Sequence, residues 1–97
     1  MGIRFFNTVD AWEGTSQVVA FAGEDDETEL AVVCAITRVA LINHFGADPR
    51  QVPDLIRVFR ENRALIEKAA SDKYDRRGRT GPIILQLKDF ESSTLAR

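Results

Sequence analysis

The amino-acid sequence predicts an α+β domain, and three observations predict it. Apolar runs rich in β-branched residues come first, QVVAFA at 17–22 and LAVVCAI at 30–36. Apolar residues at helical spacing follow, from Val39 to Ala70, and a short run, PIILQL at 82–87, closes the pattern. Strands, then helices, then a strand imply a small antiparallel sheet of three or four strands with one short and one long helix on one face.

Each element has its local reason. Ile3 and Phe5 alternate with Arg4, a short strand start, and Trp12 sits on a polar, turn-like stretch where it plugs one edge of the core. The strand 17–22 turns through GEDDETE at 23–29 and returns over 30–36, apolar on both faces and therefore central. Thr37 stands where an N-cap belongs, ahead of a helix carrying Val39, Leu41, Ile42 and Phe45 that Gly46 ends. Pro53 would clash with the carbonyl four residues back if a helix were already running. One turn at 49–52 and a long helix from about Pro53 to the region Tyr74–Gly78 are expected. Leu55, Ile56, Phe59, Ile66, Ala69 and Ala70 form its packed stripe, with Phe59 and Ile66 toward Phe21 and Val32, while Arg57, Arg60, Glu61, Arg63, Glu67 and Lys68 cover the rest. One domain over residues 1–90 and a frayed tail over 91–97 complete the organisation.

Composition narrows the function classes. With 97 residues, 44% hydrophobic and 29% charged, the chain suits one compact domain. Its longest apolar run, Leu30 to Ile36, falls far short of the roughly 20 residues a membrane span needs. MGIRFFNTVD does not read as an export signal, so the cytoplasm is expected. The single cysteine, Cys34, allows neither a disulfide nor a CxxC pair, and no cofactor or metal is implied.

No catalytic constellation stands out. The acidic run Glu24, Asp25, Asp26, Glu27 and Glu29 lacks the ligand spacing and central glycine of a calcium loop, and reads as a solvated hairpin tip. His44, the only histidine, lies near the end of the short helix and would need a partner for catalysis. Cys34, in an apolar strand, reads as a small hydrophobe with a raised pKa.

The stretch KYDRRGRTG at 73–81 sets four basic residues and two glycines after a helix, the wrong end for phosphate binding at a helix N-terminus. Cations there complement the negative end of the dipole, and the glycines turn the chain. On that reading Gly78→Val hurts more than any arginine change. The competing reading is an anion or partner surface made by Arg57, Arg60, Arg63, Lys73, Arg76, Arg77 and Arg79, interrupted by Glu61, Glu67, Asp72 and Asp75. Residues 1–49 hold two arginines against eight carboxylates, a net −6, so residues 50–97 carry +4 of the overall −2. The favoured use of that asymmetry is attraction between the halves within one fold.

The residues also resemble a family. IRFFNTVDAWE, VVAFAG, ELAVVCAITRVALINHFG, LIRVFRENRALIEKAASDKY and IILQLKDF, in that order from about Ile3 to Phe90, are similar to the bacterial domain of unknown function 1488 (DUF1488). The resemblance implies a small α+β domain with an antiparallel sheet and a long helix, and it brings no catalytic residues. The function expected is a non-catalytic accessory or protein-interaction domain, with a protein partner or a homodimer and no membrane. The alternatives are nucleic-acid binding through the basic residues and an enzyme with a cryptic pocket near His44.

Overall fold

The computed structural model describes residues 2–5 and 10–90. Its strands are β1 (Ile3–Arg4), β2 (Ala11–Glu13), β3 (Val18–Asp25), β4 (Ala31–Thr37) and β5 (Ile83–Leu85), and its helices α1 (Arg38–Asn43), α2 (Val52–Glu61) and α3 (Arg63–Arg76). A helical turn follows over 87–90. The fold is α+β, as the sequence predicts. The tail expected over 91–97 lies outside the described residues.

Three features correct the sequence reading. First, the sheet has five strands and is mixed. β3 and β4 form an antiparallel hairpin, and β1 and β2 both pair antiparallel with the other edge of β3, at opposite ends of it. β5 joins β4 parallel, with Ala35 opposite Ile84. The reason is the connection. Three helices intervene between β4 and β5, a crossover long enough to carry the chain back to the end where β4 began. Second, β2 is a strand where a turn was expected, too short at three residues to show a period.

Third, the long helix is two helices that meet at Asn62. Its backbone leaves helical values (φ −115°, ψ 20°), and its side-chain amide donates to the Val58 carbonyl at 2.9 Å, a local bond that competes with the helical ladder. The Ile66 amide then bonds the Asn62 carbonyl at 3.0 Å and the helix resumes.

The helix ends follow their sequence signals. Thr37 caps α1, its hydroxyl accepting from the Ala40 amide at 3.2 Å, so Thr37→Ala should destabilise the protein by about 1 kcal/mol in chemical denaturation. α3 ends in a Schellman motif. Gly78, at φ +75°, gives its amide to Asp75, and the Arg79 amide reaches back to the Tyr74 carbonyl at 2.9 Å.

Strand alternation sorts the sheet into two faces. Val19, Phe21, Val32, Cys34, Ile36, Ile83 and Leu85 point inward and form one core with Leu41, Leu55, Val58, Phe59, Ile66, Ala70 and Tyr74 from the helices. Phe21 and Phe59 rings lie 5.1 Å apart, as the expected helix phase requires. Gly23 belongs to the same inward row. A Cβ there would stand 2.5 Å from Ile3 Cγ2 and 2.8 Å from the Arg4 carbonyl, so the glycine lets β1 close on β3.

Candidate functional site

Alternation along β3 puts Asp25 on the inner face after Val19, Phe21 and Gly23, and helical spacing puts Tyr74 on the inner face of α3 after Ile66 and Ala70. The two meet. Tyr74 donates its hydroxyl to Asp25 Oδ2 at 2.6 Å, while Asp25 Oδ1 accepts from Arg79 at 2.6 Å and from the amides of Glu27 and Thr28 at 2.7 and 3.0 Å. Arg79 also reaches Asp26 at 2.7 Å and Asp75 at 2.8 Å, and its guanidinium lies 5.4 Å from the Tyr74 ring centre. The reading of 24–29 as a solvated tip is therefore corrected at Asp25. That residue is only 3% exposed and ties the hairpin to the end of α3.

The electrostatics follow from these contacts. Arg79, then Tyr74, hold the Asp25 carboxyl well below the usual carboxylate range, and the same hydrogen bond, with burial, pushes the Tyr74 hydroxyl up. Shifts in these directions fix each group in its ordinary ionic form near neutral pH, which suits a structural clamp and not proton transfer. The clamp forms one wall of a cavity of about 500 Å³ whose apolar side is Leu30, Val33 and Pro82.

A second ion cluster joins the halves of the chain. Arg60 grips buried Asp10 with two hydrogen bonds of 3.0 and 3.1 Å, and Arg63 adds one of 2.5 Å while lying over the Phe59 ring. The Arg60 bonds, with help from Arg63, lower the Asp10 pKa against the opposing effect of burial. Acidic Asp10 and Asp25 from the first half thus meet basic Arg60, Arg63 and Arg79 from the second. The charge asymmetry is used within the fold.

Five of the seven basic candidates have partners within the chain. Arg57 pairs with Asp54 at 2.6 Å and Glu61 at 2.9 Å. Arg60 and Arg63 serve Asp10, and Arg79 serves Asp25. Lys73 donates to the Ile84 carbonyl at 2.8 Å and to Asp89 at 2.9 Å, covering the open edge of β5. Arg76 and Arg77 are exposed and have no side-chain partner among the described residues. Gly78→Val is strained by its φ even though a Cβ there meets nothing within 4 Å, and removing Arg79 strands a buried carboxylate, a cost that the sequence does not show.

The catalytic candidates have different surroundings. The Cys34 thiol is fully buried, and burial pushes its pKa up to about 12. His44 is exposed, its ring stacked on Phe90 at 5.1 Å and set edge-on to Phe45 at 4.7 Å. No group of three or more metal-binding side chains exists among the described residues, and no described helix is long and apolar enough to cross a membrane.

Comparison with known families matches residues 3–85 to the family described as "Protein of unknown function (DUF1488)". The chain belongs to the DUF1488 family. No curated protein and no solved structure matches it. In this DUF1488 chain the matched span runs from β1 to the end of β5, so it takes in both ion clusters and the whole sheet.

One feature of that sheet had no place in the sequence reading. On the outer face, Ala11, Ala20, Ala35 and Ile84 form a continuous cross-strand row, and Ala22 beside Val33 forms the next. Val33 is 58% exposed and Ile84 41%. Rows that each carry charged or hydroxyl residues frame the band, Arg4 and Glu24 with Ala31 at one end and Glu13 and Thr37 with Val18 at the other. The cue was available as strand phase. Fixing Val32, Cys34 and Ile36 inward turns Val33 and Ala35 outward.

Proposed function

We propose that this DUF1488 protein is a non-catalytic protein-interaction domain that docks through the outer face of its sheet. One observation carries the reading. Two adjacent cross-strand rows made only of alanine, valine and isoleucine lie on the face turned away from the helices, inside a polar frame. Exposed Val33 and Ile84 on adjacent strands, set among alanines, cost solubility, and an apolar patch of this kind marks a contact surface. The setting is a bacterial cytoplasm, where a lone free thiol such as Cys34 persists.

The test is comparative. Val33→Asp with Ile84→Asp changes two exposed side chains and leaves the core alone, so the melting temperature should move by no more than a few degrees. Protein complexes recovered with the wild-type chain should be lost with the double variant. Complexes that survive both substitutions would place the contact elsewhere and defeat the proposal.

A further inference from the structure

Resting on the reading of this chain as a protein-interaction domain, we propose that β4 accepts an extended peptide segment of another protein as an added strand along residues 31–33. The phase of the β3–β4 ladder shows why. The Asp25 amide donates to the Leu30 carbonyl at 2.9 Å and the Arg38 amide to the Gln17 carbonyl at 3.0 Å, and both pairs extend the register that sets Glu24 opposite Ala31 and Val18 opposite Thr37. Bonded pairs alternate along an antiparallel ladder, so Val32, Cys34 and Ile36 also turn their backbone groups toward β3, while Ala31, Val33 and Ala35 turn theirs to the opposite edge. β5 covers that edge only in part. Its ladder begins with Ile83 opposite Cys34, where Ile83 takes the Val33 carbonyl and the Ala35 amide. The Val33 amide and both backbone groups of Ala31 are left without a protein partner among the described residues.

The lane beside these groups is open. The cavity of about 500 Å³ lies along it, lined by residues 30–33 on one side and by Tyr74, Arg79, Gly81 and Pro82 on the other. A Cβ on Gly81 would stand 3.6 Å from Cγ1 of Val32, an inward side chain, so the chain reaches β5 from beneath the edge and not along it. The edge also lacks the usual protection. Lys73 covers the outer edge of β5, whereas this edge presents Leu30, 68% exposed, and Val33, with no lysine or proline among residues 30–33.

These features define the ligand. Along the edge the unpaired groups read donor, acceptor, donor, which the acceptor, donor, acceptor pattern of an extended backbone complements in either direction. Segment residues opposite Ala31 and Val33 turn outward and extend the apolar band, which favours valine, isoleucine or threonine there, while the residue opposite Val32 turns inward over Gly81 and must be small. Tyr74 and Arg79 offer no free charge, because Asp25, Asp26 and Asp75 engage them. The segment is therefore neutral where it binds. A lane of three residues, about 10 Å long, that stops at Pro82 suits a flexible segment, which can turn away there, and not the edge of a second folded sheet.

Amide hydrogen exchange on the free protein tests the edge itself. The Ala31 and Val33 amides should exchange about a hundredfold faster than that of Cys34, and protection of either would overturn the proposal, as would protection that appears only as the protein's own concentration rises, which would put a second copy in the lane. The ligand is tested with the blocked peptide TVAVT, whose valines suit the two outward positions and whose alanine suits the inward one. In an NMR titration it should shift the Ala31 and Val33 amide resonances. A parallel strand donates the alanine amide to the Ala31 carbonyl and an antiparallel strand donates that of the second valine, so N-methylation of one of the two should weaken binding by about tenfold. Ala31→Pro, at the first position of β4, removes a donor that no bond to β3 uses; it should weaken binding by about tenfold or more and leave the melting temperature within a few degrees of wild type. If that variant does not fold, the N-methyl peptides decide the matter without it. No shift at these two amides up to about 10 mM peptide, or an affinity indifferent to both N-methylations, overturns the added strand. Should the strand fail while the Val33→Asp, Ile84→Asp variant still loses the complexes of the wild type, the interaction reading stands without it.

Discussion

Phe59→Ala is expected to cost about 3 to 5 kcal/mol, a large part of the roughly 5 to 15 kcal/mol that holds a small domain together. Phe59 is fully buried where α2 crosses the sheet, its ring 5.1 Å from Phe21 on one side and under the Arg63 guanidinium on the other. Truncation opens a cavity between helix and sheet that two rigid elements cannot collapse to fill. It also removes the surface on which Arg63 is positioned for Asp10, so the cation loses a support as well. Urea denaturation should show a lower midpoint with an unchanged m-value. A loss below about 1 kcal/mol would mean that neighbouring side chains refill the space, contrary to the close contacts around the ring.

The helical layer shows how far periodicity carries. Phe59 and Ile66 are seven residues apart, the same phase on one continuous helix or on two, so the pattern predicted the buried face correctly and was blind to the break at Asn62. What breaks the helix is one side chain bonding its own backbone, an event without a period. The parallel pairing of β5 was equally hidden. Three residues of strand carry no direction, and only the length of the crossover implies one.

The candidate site was legible in part, for a related reason. Arg60 and Arg63 stand three apart and share a helix face, but nothing local marks Asp10, some 50 residues away, as the carboxylate they enclose. The acidic run at 24–29 looked uniform as composition. Counting by two from Val19 to the end of β3 reaches Asp25 and leaves Glu24 outward, and counting by four from Ile66 brings Tyr74 to it. Strand and helix phase, applied to charged residues with the same rigour as to apolar ones, would have found the clamp. Composition alone averaged it away.

Arg79→Gln should lower the melting temperature by about 10 °C, well beyond the effect of Gly78→Ala or of neutralising Arg76 and Arg77. The glutamine cannot supply a positive charge to Asp25, which would remain buried at the end of β3 with only Tyr74 and two amides as donors. Two pH limits follow from the same clamp. Because folding lowers the Asp25 pKa, its stabilisation is complete above the ordinary carboxylate value of about 3.9 and is lost as the pH falls from there toward the lowered folded-state value. Folding raises the Tyr74 pKa, so its contribution is complete below about pH 10 and is lost as the pH climbs toward the raised one. Asp25→Asn should flatten the acid limb of stability against pH without abolishing it, since Asp10 and Asp54 also have lowered pKa values. Tyr74→Phe should remove the tyrosine's share of the alkaline limb. Thermal melts from pH 2.5 to 11 on the wild type and these three variants decide the matter. An Asp25→Asn curve that parallels the wild type through the acid range would show that Asp25 is not held by Arg79 in solution.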